Sequence, residues 1–125
     1  MIQEKLIYKD LTYKIIGLAM EVHNELGYGF LEKVYENAMK VQFSKSNIKA
    51  DFQVQFKVNF KGEVIGEFYP DIIVDDKVIL ELKAVEKIND IHKAQILNYL
   101  KVTKLKLGLI LNFSKEKLEY ERIIL

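Results

Sequence analysis

The chain has 125 residues, half of them apolar and 30% charged, and its 19 Lys and Arg against 18 Asp and Glu leave a formal net charge of +1. This is the composition of one ordinary soluble domain, residues 1–125, and offers no overall basic field for a polyanion. The absence of cysteine excludes a disulfide framework, a thiolate zinc site and a cysteine nucleophile, and a reducing cytoplasm is the natural compartment.

Residues 1–10 mix Glu4, Lys5, Lys9 and Asp10 among apolar residues and predict neither a signal peptide nor a membrane span. Leu11, Ile15, Leu18, Val22 and Leu26 mark one face of a helix over about 6–26, with Ile16, Ala19 and Met20 widening the stripe. His23, near the end of that helix, is expected to interact with the helix C-terminus rather than to ligate a metal. Gly27 and Gly29 supply the stop and a tight turn. A second helix follows over about 30–45, with Glu32, Tyr35 and Glu36 on one face. Glu32 reads either as an accessory carboxylate or as a first-turn acid that complements the helix dipole.

From 51 to 60, Phe52, Val54, Phe56, Val58 and Phe60 alternate with Gln53, Gln55, Lys57 and Asn59, which predicts one half-buried strand. Lys61-Gly62-Glu63 turns it into a second strand over 64–74, and Asp75-Asp76-Lys77 turns that into a third over 78–83, an antiparallel meander. Asn89 or Asp90 caps a third helix reaching about Thr103, and 105–112 is a short apolar strand with Gly108 inside it. The segment 118–125 alternates weakly and adds an edge strand. Two lysine clusters, Lys101, Lys104 and Lys106, then Lys115 and Lys117, read as a phosphate-facing patch or as a solvated helix end and loop.

Chemistry concentrates on the third strand. In Val78-Ile79-Leu80-Glu81-Leu82-Lys83 an apolar run carries two charges two residues apart, and period-two geometry puts both on one face. On the preceding strand Asp71 follows Pro70, the one proline of the chain, which suggests an edge or a bulge. A three-residue loop at 75–77 opposes Val74 to Val78 and therefore Asp71 to Glu81; a two-residue loop puts Asp71 on the other face. Two acids and an ammonium group are what metal-assisted phosphodiester hydrolysis needs. A buried structural ion pair between Glu81 and Lys83 is the competing explanation. Asp75-Asp76-Lys77 also fits the acid-x-Lys pattern, but its place in a turn accounts for it. On the third helix His92, Gln95 and Tyr99 lie at i, i+3 and i+7 and form one polar stripe. Gln95 is placed to bond a phosphate and Tyr99 to bond a carboxylate, or the stripe satisfies itself.

Taken together, these residues resemble the GxxExxY family of small bacterial and archaeal proteins, within the PD-(D/E)xK nuclease superfamily. Gly29-Phe30-Leu31-Glu32-Lys33-Val34-Tyr35 matches the naming motif, Glu21-Val22-His23 the segment before it, and 78–86 the catalytic-strand segment. Gln95-Ile96-Leu97-Asn98-Tyr99 is similar to the QxxxY element of recombination-exonuclease-type nucleases, and the resemblance spans about 8–113. It implies an α/β domain with a restriction-endonuclease-like core, αβββαβ, whose mixed central sheet is flanked by helices. It further implies a nuclease acting on nucleic acid, DNA in the first place, with Mg2+ or Mn2+ held by Asp71, Glu81 and the carbonyl of Leu82. Lys83 would act on the attacking water, Gln95 and Tyr99 would position the substrate and buttress the site, and Glu32 would be an accessory carboxylate. The alternative is a catalytically inactive module for nucleic-acid or protein interaction, and the small size makes a homodimer conceivable.

Overall fold

In the computed structural model, which describes residues 7–125, the elements run α1 (Lys9–Leu26), α2 (Glu32–Lys45), β1 (Ala50–Phe52), β2 (Phe56–Phe60), β3 (Glu63–Phe68), β4 (Ile72–Val74), β5 (Val78–Lys83), α3 (Asp90–Thr103), β6 (Leu107–Asn112) and β7 (Glu119–Ile124). Glu4, Lys5 and the expected helix start at Leu6 lie outside the described residues. Among the described residues no helix is long and apolar enough to cross a membrane.

Each helix ends for a local reason. Gly27, at φ 72°, turns the chain out of α1 while its N–H still reaches the carbonyl of His23. Asn47 takes the left-handed conformation after α2, at φ 55°, and the Ile48 N–H closes back on the Phe43 carbonyl at 3.0 Å, a Schellman closure. Asn89 caps α3 by accepting from the His92 N–H at 3.0 Å, and the His92 ring accepts from the Asn89 N–H at 3.2 Å.

Five strands form the main sheet in the order β1-β4-β5-β6-β7, with β5 and β6 parallel and joined through α3, and the other pairs antiparallel. This is the expected mixed sheet flanked by helices. β6 is buried at every position and β5 at all but its last, as their uninterrupted apolar runs require of strands covered on both faces. Ile15, Ala19 and Val22 of α1 and Tyr35, Met39 and Phe43 of α2 pack on one face, against Val78, Leu80 and Leu82 among others. Ile96 and Leu100 of α3 pack on the other, against Ile73, Ile79 and Ile110.

The three-strand meander expected over 51–83 is not what forms. Both long strands break opposite one another: Gln53 turns left-handed at φ 54°, and its N–H donates to the Asp71 carbonyl at 3.2 Å. Pro70, lacking an N–H, stands at the other break, where the ladder cannot continue. The inner halves, β1 and β4, pair in the main sheet; the outer halves, β2 and β3, form a separate two-stranded ribbon. The unbroken alternation of 52–60 hid this, because Gln53 is neither glycine nor proline and marks no break by type.

Candidate active site

The turn between β4 and β5 sets the site. Asp75 and Asp76 are both left-handed, at φ 52° and 54°, and Lys77 N–H donates to the Val74 carbonyl at 3.0 Å, a conformation that aspartate tolerates better than most side chains. The register is Val74 with Val78, Ile73 with Ile79 and Ile72 with Leu80, so the connection has three residues and Asp71 arrives opposite Glu81.

There the two acids interlock. Asp71 N–H donates to Glu81 Oε2 at 2.8 Å, and Leu82 N–H donates to Asp71 Oδ2 at 2.8 Å. With β4 ended and Pro70 next to it, each carboxylate takes up a backbone N–H of the partner segment and is fixed by it. Two residues beyond Glu81, Lys83 Nζ donates to Gln95 Oε1 at 3.4 Å, and Gln95 Nε2 donates to the Tyr99 hydroxyl at 3.0 Å. Tyr99 stacks on Phe68 with ring centroids 4.2 Å apart, and Phe68 on Phe56 at 5.6 Å. The ribbon thus docks on α3 through the residue that holds Gln95. Among the described residues no ion pair joins Lys83 to Glu81 or Asp71, so the structural ion pair weighed above does not form.

The helical turn that opens α2 reaches the same end of the sheet. Glu32 Oε2 accepts from the N–H of Ala84, the residue after Lys83, at 3.1 Å. Glu36 is buried, pairs with Lys33 at 3.1 Å and accepts from Gln53 Nε2 at 3.0 Å; the same Nε2 lies 3.4 Å from Asp71 Oδ1. Gln53 therefore breaks the strand and bridges two acids. Neither Glu36 nor Gln53 was singled out from sequence; Glu36, one turn beyond Glu32 on the same face, carried the only signal.

Other expectations resolve differently. His92 serves the N-cap of α3 and does not join Gln95 and Tyr99. The buried His23 ring meets the Lys115 carbonyl at 2.6 Å, tying α1 to the loop after β6 rather than to its own C-terminus. Lys104 and Lys106 lie between α3 and the start of β6, which pairs with Val78, whereas Lys115 and Lys117 follow the end of β6, where Asn112 pairs with Lys83. Only the second cluster is at the acidic end of the sheet. Asn112, fully buried and unremarked in the sequence, pins the segment after Lys83: its Nδ2 donates to the Val85 carbonyl and to Glu119, and its Oδ1 accepts from the N–H groups of Val85 and Ser114.

The acids are short of counter-charge. Burial first, and then the neighbouring Asp71, push the Glu81 carboxyl up to about 8; the Asp71 N–H and Lys83 oppose this without cancelling it. Burial also raises Asp71, with Glu36 and Glu32 adding to the shift against the hydrogen bonds from Leu82 and Gln53. The Tyr99 hydroxyl is raised by burial and by the charges of Glu81 and Asp71. No set of three or more Asp, Glu, His or Cys side chains among the described residues is arranged to enclose an ion. Two hard carboxylates suit an oxygen-preferring divalent cation rather than a thiolate- or imidazole-bound metal.

The family described as the PD-(D/E)XK nuclease superfamily matches residues 9–123 of the chain. Three chains of solved structures also match; one, described as the crystal structure of SSO0001, aligns with a TM-score of 0.57 at 19% identity over 74% of this chain and 50% of its own. The chain spans about half the length of that protein, and the likeness is one of fold. Comparison with curated proteins gives no significant match.

Proposed function

The chain belongs to the PD-(D/E)XK nuclease superfamily, and from that premise we propose that it is a divalent-metal-dependent nuclease that hydrolyses phosphodiester bonds in DNA. The observation that carries this reading is the interlocked pair Asp71 and Glu81, fixed by backbone N–H groups, short of counter-charge, and followed on the same face by an ammonium group that neither acid pairs with.

Asp71, Glu81 and the Leu82 carbonyl would hold Mg2+ or Mn2+. When bound, such an ion supplies charge neutralisation and Lewis-acid polarisation at the scissile phosphate. The protein's own groups do the remainder. Lys83 Nζ, aimed by Gln95, donates to the attacking water or to a phosphate oxygen as negative charge develops there. Tyr99, held on the aromatic stack of the ribbon, keeps Gln95 in place. Glu32 fixes the backbone after Lys83 and is the accessory acid. We also place the chain in the GxxExxY branch. In support, Gly29 takes φ 112°, Glu32 reaches Ala84, and the Tyr35 hydroxyl donates to the Gly27 carbonyl at 2.7 Å while accepting from the Phe30 N–H at 3.3 Å. Each letter of the motif thus has a physical task in one turn.

Cleavage of labelled single- and double-stranded DNA in Mg2+ or Mn2+ tests the proposal. Wild type is expected to cut and chelator to stop it. Lys83→Ala is expected to lose about 10²- to 10⁴-fold in rate while shifting stability by about 0.5 kcal/mol or less, because the side chain makes one long hydrogen bond. Full activity in Lys83→Ala contradicts the assignment, and a wild-type protein that binds DNA and metal but never cuts favours an inactive binding module.

A further inference from the structure

Beside the acids, the turn between α1 and α2 carries apolar surface that is exposed among the described residues: Tyr28, Phe30 and Leu31 are 61, 47 and 79% exposed. The turn is held rigidly. The Phe30 N–H donates to the Tyr35 hydroxyl at 3.3 Å, and its ring meets Tyr35 edge-on at 6.1 Å and 78°. Tyr35 in turn stacks on Phe113 at 4.4 Å, and both of these are fully buried. The exposed part of Phe30 therefore rests on a fixed aromatic column, and little conformational entropy is lost when a ligand settles on it.

Continuity with the acidic site comes through Glu32, which bonds the Ala84 N–H directly after Lys83. Between this turn and the end of β5 lies a cleft of about 420 Å3 lined by Gly29, Phe30, Leu31, Glu32, Ala84 and Ser114, within the size range of small-ligand sites. One residue past the ammonium group that would meet a phosphate, the chain thus offers a cleft with an aromatic wall and a polar rim.

We propose that this cleft takes the unpaired nucleobase of a nucleotide flanking the scissile phosphate, stacked on Phe30, and that the substrate is accordingly single-stranded or end-frayed DNA. The placement of the phosphate rests on the nuclease reading above. A paired base has both faces covered by its neighbours in the duplex and cannot enter such a cleft, whereas base–aromatic stacking is available to any unpaired base whatever the sequence.

The test compares wild type, Phe30→Ala and Phe30→Trp on one DNA sequence as a single strand and as a duplex. Wild type is expected to prefer the single strand; Phe30→Ala is expected to lower kcat/KM on the single strand about 5- to 150-fold, the range that stacking on one aromatic ring spans, and Phe30→Trp to restore it. Unchanged single-strand cleavage by Phe30→Ala, or a wild-type preference for duplex, overturns the subsite and leaves the nuclease reading standing. If wild type cuts neither substrate, the nuclease reading fails and the cleft is judged by binding alone, with a 2-aminopurine-labelled single strand. Quenching by wild type that Phe30→Ala abolishes supports the subsite, and no quenching overturns it. Phe30 is nearly half exposed, so each variant is expected to fold, and a thermal melt of each checks this.

Discussion

Glu81, only 6% exposed in an apolar strand, has its carboxyl raised by burial and by Asp71, so the folded protein holds its proton more tightly than the unfolded chain does. The stabilisation from that proton is complete below the unfolded value near 4.5 and is lost as pH rises toward about 8. Glu81→Gln keeps an oxygen to accept from Asp71 N–H and removes the charge. It is expected to raise stability at neutral pH by on the order of 2–3 kcal/mol and to flatten the decline between pH 5 and 8, as read from urea melts across that range, while abolishing cleavage. A Glu81→Gln protein whose stability falls with pH as steeply as wild type contradicts the buried-charge account. Asn112→Ala acts in the opposite sense. Truncation strips partners from Val85, Ser114 and Glu119 inside the fold, and a loss of about 2–4 kcal/mol is expected in the same melts. The opposition of Asp71 to Glu81 was legible in the sequence only as one of two registers, because the strand period fixes the faces but the loop length that chooses between them is set by the left-handed turn at Asp75 and Asp76. The parts played by Asn112, Gln53 and Glu36 were not, because each depends on partners brought in from distant segments.

At the scale of elements, helix positions and the short strands β5, β6 and β7 follow from periodicity and capping residues, and the structure agrees with them to within about two residues, except that α1 begins only at Lys9, three residues after the start its apolar stripe suggests. The ribbon was hidden for a physical reason. Alternation reports that a segment is extended, and says nothing of which strand it pairs with or where its backbone changes hand. Gly108 shows the reverse case, a strand glycine whose purpose only packing reveals. A Cβ built there would lie 2.5 Å from Ile96 Cδ1 and 2.8 Å from Cγ1, so α3 packs closely on β6 and the buried Ile96 side chain must move to admit a methyl group. Gly108→Ala is expected to cost about 1–3 kcal/mol. Because α3 carries Gln95 and Tyr99, it should also reduce cleavage more than the melt alone accounts for. Wild-type stability in Gly108→Ala contradicts this close packing.

The whole molecule is nearly neutral, yet Glu32, Glu36, Asp71 and Glu81 gather at one end of the sheet, where Glu36 and Glu32 help to raise Asp71, and Asp71 and Glu32 help to raise Glu81. Lys115 and Lys117 follow β6 at that same end, so the charge that matters is arranged locally and averages out in composition. An ion binding there must displace the proton that Glu81 retains, and affinity should rise with pH up to about 8. The most direct test is a crystal soaked in Mn2+ and measured for anomalous scattering. The account predicts one strong peak bounded by the carboxylates of Asp71 and Glu81 and the carbonyl of Leu82, absent from an Asp71→Asn crystal; a soaked crystal with no peak there, or with Mn2+ held only elsewhere, contradicts it.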